Sequence, residues 1–150
     1  MARARMKLAK CKWPSRQTMD QPMIVVNFKT YASASGEAAE ALLTAMEAHA
    51  NGPATLVAVA SAFDLATLAH QATNVDVWSQ HLDPVGQGSF TGWLEPQTAL
   101  HRGASGSIIN HAEHKVELDH VRSLLDTLPE GFPVCACAAN VEEAKALAAL

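Results

Sequence analysis

Five short apolar segments alternate with amphipathic segments along residues 22–150. The apolar segments begin at Met23, Thr55, Val75, Gly106 and Val134. Their apolar residues are continuous rather than alternating, which is typical of strands buried on both faces of a parallel sheet. We therefore expect five βα units in an α/β fold, with Met23–Val26 as a buried first strand.

Polar residues and helix breakers predict where the helices begin and end. Ser35 is the expected cap of a first helix that runs to about Ala50, and Glu95 begins a short third helix. Asn140 is the expected cap of a fifth helix. Ser61, with Asp64 three residues later, resembles a capping box for the second helix. The fourth helix is predicted to bury one apolar face formed by Leu118, Val121, Leu125 and Leu128.

Two architectures fit five βα units: an open doubly wound sheet and part of an eight-stranded β/α barrel. A complete barrel needs roughly 250 residues, whereas this sequence has 150. Length alone therefore favours the open sheet, and the barrel fits only if the sequence is part of a larger one. In both architectures functional residues gather at the carboxyl ends of the strands.

Composition narrows the class of protein. The chain is 49% hydrophobic and 17% charged, as expected of a globular domain rather than a disordered chain. Residues 1–20 hold six of the 11 Lys and Arg residues, so we expect residues 1–21 to form a basic, disordered extension ahead of a domain at 22–150. The remaining chain is acidic, which argues against nucleic-acid binding, and no apolar run is long enough to predict a membrane span. Three cysteines suit a reducing compartment, here the cytoplasm.

Polar residues recur where the predicted strands end. They are Asn27 and Lys29 after the first strand, Gln80 and His81 after the third, and Asn110, His111 and Glu113 after the fourth. Since these strand ends share one edge of a parallel sheet, a functional site is predicted there. His111 would stand where a strand meets a helix N-terminus, whose positive end disfavours imidazolium.

Three of these segments carry a resemblance to a known family. They are IVVNFKTY at 24–31, QHLDP at 80–84 with GSFTG at 88–92, and INHAE at 109–113. In order and spacing, over about residues 22–150, they resemble the archaeal-type triosephosphate isomerases. The resemblance implies a partial (β/α)8 barrel, roughly the first five βα units. It also implies interconversion of dihydroxyacetone phosphate and glyceraldehyde 3-phosphate through an enediolate, in glycolysis and gluconeogenesis.

The resemblance also implies roles for individual residues. Asn27, Phe28 and Lys29 would form the first substrate-binding loop, with Lys29 beside the phosphorylated triose and the developing oxyanion. His111 would polarise the carbonyl, and Glu113 would support Lys29. We expect no cofactor and no metal, and the family forms homodimers or homotetramers.

The sequence departs from the family pattern at two positions. Ala112 stands where a Ser is expected, which would remove a hydrogen bond. Phe90 replaces a His in a loop that, in the family, contacts a neighbouring subunit. The family's catalytic Glu follows the sixth strand, on a segment that this sequence lacks. We therefore expect the 150-residue polypeptide to be inactive or nearly so by itself.

Two other readings compete with the isomerase. A zinc deaminase would use His111 and Glu113 as H-x-E, but Cys135 and Cys137 form C-x-C rather than C-x-x-C and are expected to be core side chains. A non-catalytic half-barrel module or a decayed paralogue is the other reading. The presence of Asn27, Lys29 and His111 favours the enzyme.

Three smaller interpretations complete the sequence analysis. His111 and His114 are spaced as a possible metal pair, but without a third ligand at a suitable spacing no metal site is predicted. His120 is interpreted as a solvated helix residue. Trp78 and Trp93 are interpreted as packing or interface residues.

Overall fold

The architecture is known from a computed structural model that describes residues 22–150. Within this range strands and helices alternate, in the order β1 Met23–Asn27, α1 Glu37–Glu47, β2 Thr55–Ala60, α2 Leu65–Gln71, β3 Asp76–Ser79, α3 Pro96–His101, β4 Gly106–Ile109, α4 Leu118–Thr127, β5 Val134–Ala136 and α5 Val141–Ala148. A short 3-10 helix, Ala32–Ala34, lies between β1 and α1. None of these helices is long and apolar enough to cross a membrane.

The five strands form one parallel sheet in sequential order, β1-β2-β3-β4-β5. Each strand pairs with the next along the chain, as in the register Val25 to Val57 and Val59 to Trp78. A doubly wound sheet would reverse direction at a switch point, and this order does not. The sheet is instead a curled half-barrel. The partial (β/α)8 barrel is therefore confirmed, and the open sheet favoured by length is wrong.

The main core lies between the sheet and the helices that cover it. Leu43 of α1, Leu68 of α2, and Val121 and Leu124 of α4 are all at most 2% exposed. Ala58 of β2 belongs to the same cluster. Alternate residues of a strand face opposite sides of a sheet, and the neighbours of Ala58 accordingly pack in a second cluster.

That second cluster contains Val57, Val59, Trp78 and Ile108. Gly106 of β4 permits the close approach of the indole, because a Cβ on Gly106 would overlap the Trp78 ring. Trp78 is therefore a packing residue, as expected.

Two predictions of burial are wrong. In β1, Ile24 and Val25 are 50% and 38% exposed, because β1 lies at the edge of the described sheet and pairs only with β2. In α4, Leu118 and Leu125 are exposed and Leu124 is buried beside Val121. The buried face of α4 is centred between Val121 and Leu124, and the two exposed leucines lie at its margin.

Hydrogen bonds decide the cap predictions at Asn140 and Ser35. Asn140 accepts from Glu143 N in the first turn of α5, as predicted, and Glu95, which was expected only to begin α3, also caps it by accepting from N–H groups of its first turn. Ser35 is not a cap: its hydroxyl donates to Tyr31 O at 3.0 Å, and Gly36, with φ of 57°, occupies the N-cap of α1.

The Ser61 prediction is only partly right. Ser61 bonds the Asp64 carboxylate within the turn that precedes α2, and α2 itself begins at Leu65. The predicted disorder of residues 1–21 lies outside the described residues.

Candidate active site

A cavity of about 230 Å³ lies at the carboxyl ends of the strands. Asn27, Lys29, His111 and Glu113, which the sequence predicted as site residues, all line it, as does Gln80. The structure thus brings together residues from the loops after β1, β3 and β4. Phe28 is placed differently: its side chain is 2% exposed and lies in the main core, so its contact with substrate stays a prediction.

An ion pair joins the first and fourth βα units across this cavity. Lys29 Nζ lies 2.7 Å from Glu113 Oε1. Donation of this hydrogen bond raises the pKa of Lys29 and lowers the pKa of Glu113. Both groups are therefore charged at neutral pH, and a fixed ammonium group is available in the cavity.

The backbone of Lys29 has an unusual conformation, with φ of 52°. The Asn27 Oδ1 atom accepts a hydrogen bond from Lys29 N at 3.0 Å. Gln80 Nε2 donates to Lys29 O at 2.9 Å and lies 3.3 Å from Asn27 Oδ1. These contacts hold a backbone state that is costly for a side-chain-bearing residue. The sequence marked Gln80 as a polar strand-end residue but gave it no role, because its partners are distant along the chain.

The hydrogen bonding of His111 indicates its neutral tautomer. Glu113 N donates to His111 Nδ1 at 3.2 Å, so Nδ1 is an acceptor and the ring proton is on Nε2. Glu113 Oε2 is 3.6 Å from the same nitrogen, too far for a competing hydrogen bond.

The helix expected after His111 is absent at that point. Residues 112–114 form a turn, closed by His114 N donating to His111 O at 2.8 Å, and α4 begins only at Leu118. The predicted effect of a helix N-terminus on His111 is therefore wrong. A local turn and one backbone hydrogen bond take its place.

Asn110 supports the loop that carries His111. It is 2% exposed and has φ of 59°. Its Oδ1 accepts from Val116 N at 3.1 Å, and its Nδ2 donates to Cys137 O at 2.8 Å and to Glu143 Oε1 at 2.7 Å. The loop that carries His111 is thereby tied to α5 and to the segment directly after β5.

Glu143 extends this network to the next strand–helix connection. It pairs with Lys115 and also accepts from the Ala139 N–H group. The Lys115 hydrogen bond, followed by those from Ala139 and Asn110, lowers the pKa of Glu143 to about 2. The carboxylate is therefore ionised at any pH at which the site would work.

A group of imidazoles lies beside the cavity. His81 is 6% exposed, its Nε2 is 3.2 Å from Asp83 Oδ1, and the His114 ring stacks on it with centroids 4.1 Å apart. Burial lowers the pKa of His81. His120 is not the solvated residue that we expected, because it is partly buried with its ring 5.5 Å from that of His81.

Among residues 22–150, one group of side chains has a geometry suited to a metal: His81, Asp83 and His120. This group does not contain His111, Glu113 or either described cysteine, so it does not support a zinc deaminase. Cys135 is exposed and Cys137 is partly exposed, so the prediction that both are core residues is wrong. The reason is that β5, like β1, is an edge strand of the described sheet.

The two departures from the family pattern lie at the surface. Ala112 is exposed. Phe90 is 44% exposed and contacts Trp93 edge-on, with ring centroids 6.5 Å apart. Trp93 is itself 52% exposed, and its interpretation as a packing or interface residue stays a prediction.

Comparison with known proteins agrees with this geometry. The family model described as triosephosphate isomerase matches residues 22–148. The chain belongs to the triosephosphate isomerase family. Curated triosephosphate isomerases from Methanobrevibacter smithii and Methanothermus fervidus are 32% and 34% identical to it, over 87% and 88% of this chain.

The match covers part of the triosephosphate isomerase length. This chain spans 59% of the Methanobrevibacter smithii relative and 60% of the Methanothermus fervidus relative, corresponding to their N-terminal part. A solved triosephosphate isomerase from Bartonella henselae superposes with a TM-score of 0.66 at 21% identity, over 83% of this chain and 55% of that one. This likeness supports the barrel fold.

Proposed function

We propose that the protein containing this chain is a triosephosphate isomerase, interconverting dihydroxyacetone phosphate and D-glyceraldehyde 3-phosphate through an enediolate. It acts in glycolysis and gluconeogenesis, in the cytoplasm, as a homodimer or homotetramer. The observation that carries the proposal is the convergence of Lys29, His111 and Glu113 on one cavity at the carboxyl ends of the strands.

Lys29 has the electrostatic role. Its ammonium group attracts the phosphorylated triose and stabilises the negative charge that develops on the substrate oxygen in the enediolate. Glu113 positions this ammonium group through the 2.7 Å contact. The pair is exposed enough to exchange partners, so substrate oxygens can replace Glu113 in contact with Nζ.

His111 has the electrophilic role. With Nδ1 occupied by the Glu113 N–H group, its Nε2–H is the donor that polarises the substrate carbonyl. A neutral imidazole that has donated this proton can also recover one from the adjacent oxygen, as movement of a proton between two neighbouring oxygens requires.

Removal of the carbon-bound proton needs a further base, which we do not assign among residues 22–150. In the family it is a Glu after the sixth strand, in the part of the relatives that this chain does not span. The described residues therefore contribute substrate binding and the electrophile. The base belongs to the remainder of the barrel.

A chimera tests these roles. Residues 22–150 are joined to the C-terminal part of the Methanothermus fervidus relative, and isomerisation of glyceraldehyde 3-phosphate is measured. We expect Lys29→Ala and His111→Gln each to lower kcat/KM by roughly 10²–10⁴-fold. The matched controls are the exposed Lys145→Ala and His49→Gln, which should leave the rate unchanged.

Two results would count against the proposal. One is a folded chimera that retains full activity after either site substitution. The other is a folded chimera with no activity, which would favour the non-catalytic half-barrel module.

A further inference from the structure

The histidine–aspartate cluster, His81, Asp83 and His120, has the spacing of a metal site. One ligand atom from each residue lies within 4.8 Å of the other two, and His81 Nε2 is 3.2 Å from Asp83 Oδ1. Around a tetrahedral zinc ion with bonds of 2.0–2.1 Å, neighbouring ligand atoms are about 3.3 Å apart. The His81 and Asp83 atoms are thus already at ligand spacing, and a small movement of His120 would complete the set.

An ordinary hydrogen bond between His81 and Asp83 explains only two members of the cluster. His120 is the third residue of α4, on a different element, and its Nε2 is 3.3 Å from Leu82 O. It is thereby held over the loop segment that separates the other two ligands. His114 covers the His81 ring by stacking. Three of the chain's seven histidines therefore meet at one place.

The surroundings favour retention of a bound ion. The His81 and Asp83 side chains are only 8% and 14% exposed, so water competes weakly for their ligand atoms. Asp83 is also fixed by its second carboxylate oxygen, which accepts from Leu94 N at 2.7 Å. Outer contacts of this kind orient ligands in metal sites.

We propose that the histidine–aspartate cluster binds a divalent transition metal, with zinc as the fitting ion. Two imidazoles and one carboxylate are a zinc-type donor set that leaves a fourth position for water, whereas Mg²⁺ and Ca²⁺ prefer all-oxygen sites. The ion would link the loop after β3 to α4 at the wall of the candidate active-site cavity, which His81 and His114 also line. This proposal does not depend on the isomerase activity.

Zinc titration of the full 150-residue chain tests the site. Cys11, Cys135 and Cys137 are first replaced by Ser, so that thiols do not contribute. Calorimetry with Zn²⁺ alone should then give about one ion per chain, and the ion should raise the Tm. Co²⁺ in place of Zn²⁺ should give the visible absorption of a low-coordinate nitrogen and oxygen site.

Variants locate the ion. His120→Gln should weaken Zn²⁺ binding by at least roughly 10-fold and abolish the rise in Tm. Asp83→Asn should also weaken binding, and it serves as the second test if His120→Gln unfolds the chain. Asn keeps an oxygen that can accept from Leu94 N. The matched control His49→Gln, an exposed histidine outside the cluster, should bind as the parent does. Circular dichroism verifies that each variant is folded.

Any one of three results overturns the proposal. They are absence of saturable Zn²⁺ binding in the thiol-free chain, unchanged affinity in folded His120→Gln and Asp83→Asn, and equal loss of affinity in His49→Gln. Isomerase assays of the chimera are a separate measurement, so either proposal can fail while the other stands.

Discussion

At the scale of single residues, the site depends on two backbone conformations that disfavour side chains. Lys29 and Asn110 are the non-glycine residues with φ in the left-handed region within residues 22–150. Each belongs to a loop that presents a candidate catalytic group, and each is held by several hydrogen bonds. The hydrogen bonds offset a conformational cost of about 1–2 kcal/mol for a residue such as Lys29, and a smaller cost for asparagine, which adopts this region more readily.

Two substitutions at Asn110 separate the conformational cost from the hydrogen bonds. Asn110→Ala loses the contacts to Val116, Cys137 and Glu143 and also places a Cβ in a left-handed conformation. Asn110→Gly loses the same contacts but adopts this φ readily. We expect the Ala variant to lower the free energy of unfolding by about 2–4 kcal/mol, and the Gly variant by about 1 kcal/mol less.

Urea unfolding measured by circular dichroism gives both values. Equal destabilisation by Ala and Gly would show that the left-handed backbone contributes nothing to the cost. A loss below about 0.5 kcal/mol in both variants would contradict the importance of the Asn110 hydrogen bonds.

At the scale of elements, one carboxylate connects α1 to the start of β3. Glu47, the last residue of α1, accepts from the backbone N–H groups of Thr73, Asn74 and Val75. Burial by itself raises the pKa of Glu47, but these hydrogen bonds outweigh it and lower the pKa to about 2. Since the folded pKa is below the ordinary value of 4.5, ionised Glu47 stabilises the fold at neutral pH.

This stabilisation should be lost as the pH falls from about 4.5 towards 2. At pH 7 we expect Glu47→Gln to lower the free energy of unfolding by about 1–2 kcal/mol. The effect is modest because Glu47 is partly exposed and solvent screens its charge. The difference from the parent chain should shrink towards zero near pH 2. Urea unfolding at several pH values measures it, with the exposed Glu130→Gln as the matched control. A difference that stays constant with pH would refute the role of the Glu47 charge.

Sequence patterns predicted the elements well and their surroundings less well. Continuous apolar segments located the five strands, and Asn140 was correctly identified as a cap because a cap bonds its own helix. Burial of Ile24 was not predictable, since it depends on which strands lie beside β1. Length favoured the wrong sheet, because strand order is not encoded in the period of the apolar residues.

In the candidate site, too, local features were predictable and contacts between distant residues were not. Lys29 and His111 were found because their motifs lie at strand ends, where a parallel sheet collects functional groups. Gln80, Glu143 and the cluster with His120 received no role in the site, because each acts on a partner 33 or more residues away. Such pairings follow from the packing of the elements and have no local signature.

At the scale of the whole molecule, the described sheet has two edges. β1 pairs only with β2, and β5 only with β4. Ile24, Val25 and Cys135 are exposed on these edge strands. Unpaired edges with apolar side chains promote association with other strands.

The 150-residue chain alone should therefore self-associate. Sedimentation at increasing concentration should detect oligomers, and Ile24→Lys on β1 should weaken association roughly 10-fold, since an edge lysine opposes strand addition. Val141→Lys is the matched control, because Val141 is 62% exposed but lies on α5. A chain that stays monomeric at every concentration and melts sharply in two states would contradict this prediction.

The sequential strand order also determines how the chain can acquire its structure. Every strand is added next to the one made just before it, so the sheet can grow vectorially from the N-terminal side, closing one helical connection at each step. The contact between Lys29 and Glu113 does not join neighbouring units, because it spans 84 residues. It can form only after β4 has docked, so the ammonium group acquires its partner late, when the scaffold beneath it is already in place.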